Sequence, residues 1–104
     1  MASQFDLIRN TTGYRENAVP YFVIVQSDLV YDIQTKVVIP LHRPSTYKPA
    51  NRLNPIFDID GESLTLMTQE IVGLEPGMVG PIIGTVEAHH DAIIAAIDFL
   101  ISGF

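Results

Sequence analysis

The stretch Ala88–Phe104, AHHDAIIAAIDFLISGF, decides the fold class. It is the one part of the sequence with a clear helical period. At about 100° per residue, Ile93, Ile97, Leu100, Ile101 and Phe104 fall on one face, an apolar stripe wide enough to pack on a sheet. Ala92, Ala95 and Phe99 fall roughly opposite. Small residues beside a single ring let another surface approach closely, and a monomer with one sheet has no use for a second apolar face. Ala92, Ala95, Phe99 and Leu100 are therefore read as a homodimer contact, with a target contact as the alternative. Thr85 or Glu87 is expected to start the helix, a threonine cap and an acidic first turn both being favourable there. The segment ends on Gly103-Phe104, an apolar end that is either clamped into the fold or offered to a partner.

Everything upstream of that helix reads as short strands and turns. Gln4–Ile8 alternates and makes a first strand. Asn10–Asn17 (NTTGYREN) is a polar loop or hairpin tip. Tyr21–Gln26 (YFVIVQ) is rich in aromatic and β-branched residues, as expected of a strand buried on both faces. Thr35–Leu41 is a further strand, with Pro40 placed at its end or on an edge because it lacks a donor N–H. Residues 42–55 hold Pro44, Pro49 and Pro55 and form the longest irregular stretch. Ile56–Ile59 and Leu64–Thr68 flank Asp60-Gly61, a strong hairpin signal. Residues 72–84 carry four glycines and two prolines, which admits short extended pieces and no long helix. Strands followed by one terminal helix predict an α+β domain, mostly β, a small curled sheet with the helix packed on it.

A chain of 104 residues is read as a single domain, 1–104. Hydrophobic residues make up 47% and charged ones only 17%, so the chain forms a core and has little charge to cover its surface. Some apolar surface is thus expected to be shared with a second copy. The net charge is −6, and all six Lys and Arg lie at or before Arg52. Binding to a phosphate backbone draws on clustered basic residues, so no direct nucleic-acid contact is expected and a basic protein surface fits better. There is no cysteine, which rules out disulfides and thiolate chemistry. The N-terminus lacks the basic and apolar regions of a signal peptide, and no apolar run approaches the length of a membrane span. The default is a cytoplasmic protein with no membrane contact.

Side chains able to do chemistry are few. His89 and His90 are adjacent, point about 100° apart on a helix, and read as surface histidines near its start. Asp58 and Asp60 share a strand face, but Asp60 belongs to the Asp-Gly turn. Ser27-Asp28 lacks a nucleophile-elbow setting. Gly77–Gly80 has the wrong spacing for a phosphate loop. These residues suggest a protein that binds rather than catalyses, with no metal and no cofactor.

Four segments taken in order resemble one family: VQSDL at Val25–Leu29, VVIPL at Val37–Leu41, LTLMTQE at Leu64–Glu70 and AAIDFLISGF at Ala95–Phe104. The sequence is similar, nearly end to end, to the CcdB family of toxins from type II toxin–antitoxin modules. That resemblance implies an SH3-like barrel or curled antiparallel sheet with a small extra sheet and one C-terminal helix, forming a homodimer. It implies no enzyme, but a protein that binds the A subunit of DNA gyrase and traps the gyrase–DNA cleavage complex. A CcdA-like antitoxin wraps and neutralises the toxin, and operator DNA is met only through that antitoxin.

By the resemblance, the gyrase contact lies at Leu29, Val30, Asp98, Ser102, Gly103 and Phe104. The family's ending is Trp-Gly-Ile; here Ser102 replaces the tryptophan that stacks on gyrase arginines, and Asp98 replaces an asparagine. Phe104 is either a target contact or part of the core stripe. The antitoxin contact is placed on the early loop (Asn10, Thr12, Tyr14, Arg15) and the proline-containing loop (Arg43, Ser45, Tyr47). The missing tryptophan leaves an alternative open, a toxin-fold dimer that binds its antitoxin and has lost gyrase. A further alternative is a MazF/Kid-like endoribonuclease, which would need Arg9, Arg15 or Arg43 to converge with His42. In the gyrase reading the two terminal helices sit near one another across a two-fold axis and expose both chain ends on one face.

Overall fold

A computed structural model describes residues 2–45 and 48–103. Seven strands form one antiparallel sheet: β1 (Asp6–Arg9), β2 (Tyr21–Ile24), β3 (Lys36–His42), β4 (Ile56–Ile59), β5 (Glu62–Leu66), β6 (Val72–Leu74) and β7 (Ile82–Thr85). A 13-residue helix, α1 (His90–Ser102), follows. The strand order is β4-β5-β3-β2-β1-β7, with β6 also paired to β3. This is the curled antiparallel sheet with a terminal helix that the sequence predicts. The expected small extra sheet is not separate: the single sheet forks at β3, which carries β6 along residues 36–38 and the β4–β5 hairpin along residues 41–42.

Both faces of the central strands β1–β3 are buried, as the continuous apolar run of β2 requires, while β7 is exposed along its length. On one face Leu7, Val23, Ile39, Leu41, Leu64 and Leu66 pack under Ile93 and Ala96 of α1. On the other, Ile8, Phe22, Ile24 and Val38 are closed over by Val19 and Leu74. The alternation is read directly from the register, Leu7 opposite Val23 and Ile8 opposite Phe22. The β4–β5 turn places Asp60 at φ 53° and Gly61 at φ 82°, the double left-handed turn that an Asp-Gly pair favours.

Pro40 is neither at a strand end nor on an edge. It is buried inside β3, opposite Phe22. A residue's N–H and C=O leave an extended strand on the same side. The Pro40 carbonyl accepts from the Met67 N–H at 3.0 Å, so its donorless nitrogen faces the fork between β5 and β6, where no ladder bond is missed. The helix also differs in detail. A short 3-10 turn, Glu87–His89, precedes α1, and the Thr85 hydroxyl accepts from the Glu87 N–H at 3.1 Å. Ile93 and Ala96 are buried, with Ile97 and Leu100 half-buried. Ile101 is 78% exposed, because it lies at the border of the packed stripe and α1 has run past the core by its last turn.

Candidate functional site

The end of α1 is open. Gly103 caps it at φ 77°, a left-handed conformation suited to glycine, and its N–H donates to the Phe99 carbonyl at 3.0 Å. The Ser102 hydroxyl donates to the Asp98 carbonyl at 2.7 Å. Asp98, Ser102 and Gly103 are all exposed, and Phe104 lies outside the described residues. This end is therefore a well-formed helix terminus that presents polar atoms and the Ile101 side chain.

Leu29 and Val30 sit on the loop that leaves β2, and they are 86% and 44% exposed. The loop is held by polar side chains. Val30 N–H donates to the Ser27 carbonyl, Leu29 N–H to Ser27 Oγ, and Gln26 Nε2 to the Val30 carbonyl. Gln26 Oε1 accepts from the Val37 N–H, tying the loop back to β3. Among the described residues no side-chain hydrogen bond joins this loop to the end of α1.

The early loop is a hydrogen-bonded knot around Asn10. Its amide donates to the Tyr14 and Val19 carbonyls at 2.8 Å each, while its oxygen accepts from the Thr12 hydroxyl at 2.7 Å. Arg15 adopts φ 43° and lies 5.5 Å from the Tyr14 ring centroid. Arg43 joins this loop to the β4–β5 hairpin: its Nη1 donates to the Asn17 carbonyl at 3.1 Å and its Nε to Glu62 at 2.8 Å. The two loops expected to meet one partner are thus neighbours. Ser45 lines the cleft beside Arg43, and Tyr47 lies outside the described residues.

The reading of the sequence missed what lies between those loops. His42 is 3% exposed at the end of β3, with its Nε2 2.9 Å from Glu70 Oε1. The Tyr14 hydroxyl donates to the same oxygen at 2.7 Å. Burial raises the Glu70 pKa, but the hydrogen bonds from Tyr14 and His42 and the positive charges of His42 and Arg15 outweigh it and hold the carboxyl below its ordinary value. A cleft of about 230 Å³ opens on the His42 side, walled by Arg43, Ser45, Ser63 and Thr65. A larger, apolar cleft of about 560 Å³ opens on the Glu70 side, walled by Thr12, Tyr14, Phe22 and Met78. Residues 14, 42 and 70 are far apart in the chain, so no local motif announces the cluster.

Of the positions read as a dimer contact, Ala92 and Ala95 are exposed and Phe99 and Leu100 half-buried. The Arg52 guanidinium covers the Phe99 ring at 4.6 Å, a contact the helical wheel could not show. His89 is not simply a surface residue: it stacks on Phe57 with centroids 4.4 Å apart. Among the described residues no group of three or more His, Asp or Glu side chains is placed to hold a metal ion, and no helix is long and apolar enough to cross a membrane.

The four resembling segments fall on the loop after β2, on β3, on β5 with the 3-10 turn that follows it, and on α1, and a protein-family model described as CcdB protein matches residues 4–103. The chain belongs to the CcdB family. No individual curated protein matches it. CcdB-family membership supports a toxin of a toxin–antitoxin system that acts on gyrase, and the family poisons that enzyme rather than catalysing a reaction of its own.

Proposed function

We propose that this CcdB-family chain is the toxin of a type II toxin–antitoxin system, and that it inhibits DNA gyrase by binding the A subunit and trapping the cleavage complex. The observation that supports this reading most strongly is the family match across residues 4–103, which takes in an open, exposed α1 end at Asp98, Ser102 and Gly103. Leu29 and Val30 would supply the apolar part of the contact, with Phe104 beyond the described residues. The chain would act as a cytoplasmic homodimer through Ala92, Ala95, Phe99 and Leu100. A CcdA-like antitoxin would engage Asn10, Thr12, Tyr14, Arg15, Arg43, Ser45 and Tyr47, which fits a partner that folds as it binds. Operator DNA would be met only through that antitoxin.

One observation favours a second reading, a toxin-fold dimer that keeps its antitoxin and has lost gyrase. Ser102 turns its hydroxyl back onto the Asp98 carbonyl and offers no ring to a target arginine. The endoribonuclease alternative draws no support: His42 and Arg43 each face a carboxylate, at 2.9 and 2.8 Å, which offsets the positive charge a phosphodiester transition state needs. Expression in a gyrase-sensitive bacterium, with gyrase-linked DNA breaks measured, tests the first reading. Growth arrest with accumulated breaks supports it; normal growth without breaks sinks it.

A further inference from the structure

The loop after β2 presents more than Leu29 and Val30. Tyr31 is 82% exposed and Ile33 54%, so four large apolar side chains project from five consecutive residues. Isolated exposed apolar residues are ordinary, but a contiguous group held outward points to a contact surface. The turn that leads into this group is fixed by its own bonds. The Ser27–Val30 turn is closed by its own backbone bond at 3.0 Å. Asp28 Oδ1 accepts from the Gln4 N–H at 2.9 Å, which moors the turn to the start of the chain. Gln26 spans the loop from inside, bonded to the Val30 carbonyl and the Val37 N–H. The turn up to Val30 is thus pre-organised, and Tyr31 and Ile33 follow directly from it.

The charges around it are mixed in number but not in exposure. Asp32 is exposed within the group, and Asp28 is exposed beside it. The basic residue nearest in sequence, Lys36, is half-buried at the start of β3. An exposed tyrosine ring flanked by carboxylates suits a guanidinium or ammonium group, which the ring face and the carboxylates attract together. Aromatic side chains on rigid supports are also the residues that most often dominate an interface.

We propose that Tyr31, supported by Ile33, is the principal anchor of the target contact, docking its ring on a basic patch of the gyrase A subunit. This rests on the gyrase reading above and extends its contact from Leu29 and Val30 along the same loop. Its occupant is the target rather than a second copy, because the loop carries a net negative charge and two such loops would repel each other.

The test is direct binding of a purified gyrase A-subunit fragment to the full chain and to the variants Tyr31→Ala, Tyr31→Phe and Ile33→Ala. Light scattering on each variant reports its oligomeric state. The side chains are exposed, so the variants should fold, and a thermal melt checks this. Tyr31→Ala is expected to weaken binding at least about tenfold, and Tyr31→Phe to stay within about threefold. The Tyr31→Ala loss should leave the oligomeric state unchanged. Wild-type binding with Tyr31→Ala equally tight overturns the proposal and leaves the gyrase reading standing. Dissociation of a dimer in Tyr31→Ala overturns it in favour of a second copy as the occupant. Failure of the wild-type chain to bind overturns the gyrase reading, and the proposal with it.

Discussion

His42 Nε2 and Tyr14 Oη both meet a single oxygen, Oε1 of Glu70, at 2.9 and 2.7 Å. That oxygen joins the early loop, the end of β3 and the 3-10 turn at Thr68–Glu70, three pieces that are distant in sequence. It also separates the two clefts in which the expected antitoxin residues Tyr14, Arg43 and Ser45 lie. Replacing Glu70 by alanine leaves the buried His42 ring without this partner. The expected cost is about 1–3 kcal/mol of unfolding free energy, measured by denaturant titration. A loss below the error of that measurement would show that solvent replaces the carboxylate freely.

The same residue sets an acid limb. The folded-state pKa of Glu70 lies below the ordinary value of 4.5, so the folded state binds its proton less readily than the unfolded chain does. Its contribution is fully present above that ordinary value and is lost as pH falls through the lowered folded value. Unfolding midpoints measured from pH 6 to about pH 3 should fall more steeply for the wild-type chain than for Glu70→Gln. Parallel curves would remove Glu70 from the account.

Arg52 over Phe99 links the proline-containing loop to α1. Arg52 is exposed and Phe99 half-buried, so Arg52→Ala should cost only about 0.5–1 kcal/mol of stability. If Phe99 belongs to the homodimer contact, the same variant should change the dimer dissociation constant, read by analytical ultracentrifugation. An unchanged constant would place Phe99 outside that contact.

Gly80 is required by packing. A Cβ there would run into the Arg9 carbonyl oxygen, a backbone atom that cannot swing away. Gly80→Ala should destabilise the fold by about 1–3 kcal/mol, seen as a lowered thermal midpoint. Gly77→Ala, with open space around its Cβ, is the control and should change little.

Local chemistry was enough for much of the architecture. Asp60-Gly61 announced its hairpin, YFVIVQ its doubly buried strand, and the Ile93/Ile97/Leu100 spacing the face of α1 that packs. What escaped depends on where distant segments meet. Pro40 is tolerated mid-strand only because the sheet forks beside it, and Ile101 is exposed only because the core ends before α1 does. The same holds for the partner-facing surfaces. The helical wheel placed Ala92, Ala95 and Phe99 together, but not Arg52 on top of Phe99. No periodicity connects Tyr14, His42 and Glu70, because their meeting is a product of the curled sheet.

Removal of residues 102–104 takes away the exposed Ser102 and Gly103, together with Phe104, and none of the residues that bury α1 on the sheet, Ile93 and Ala96. The most direct measurement is therefore the affinity of the purified chain, intact and with those three residues removed, for a gyrase A-subunit fragment. Binding by the intact chain and its loss in the shortened one is the predicted result. An intact chain that binds its antitoxin but not the gyrase fragment would contradict the account.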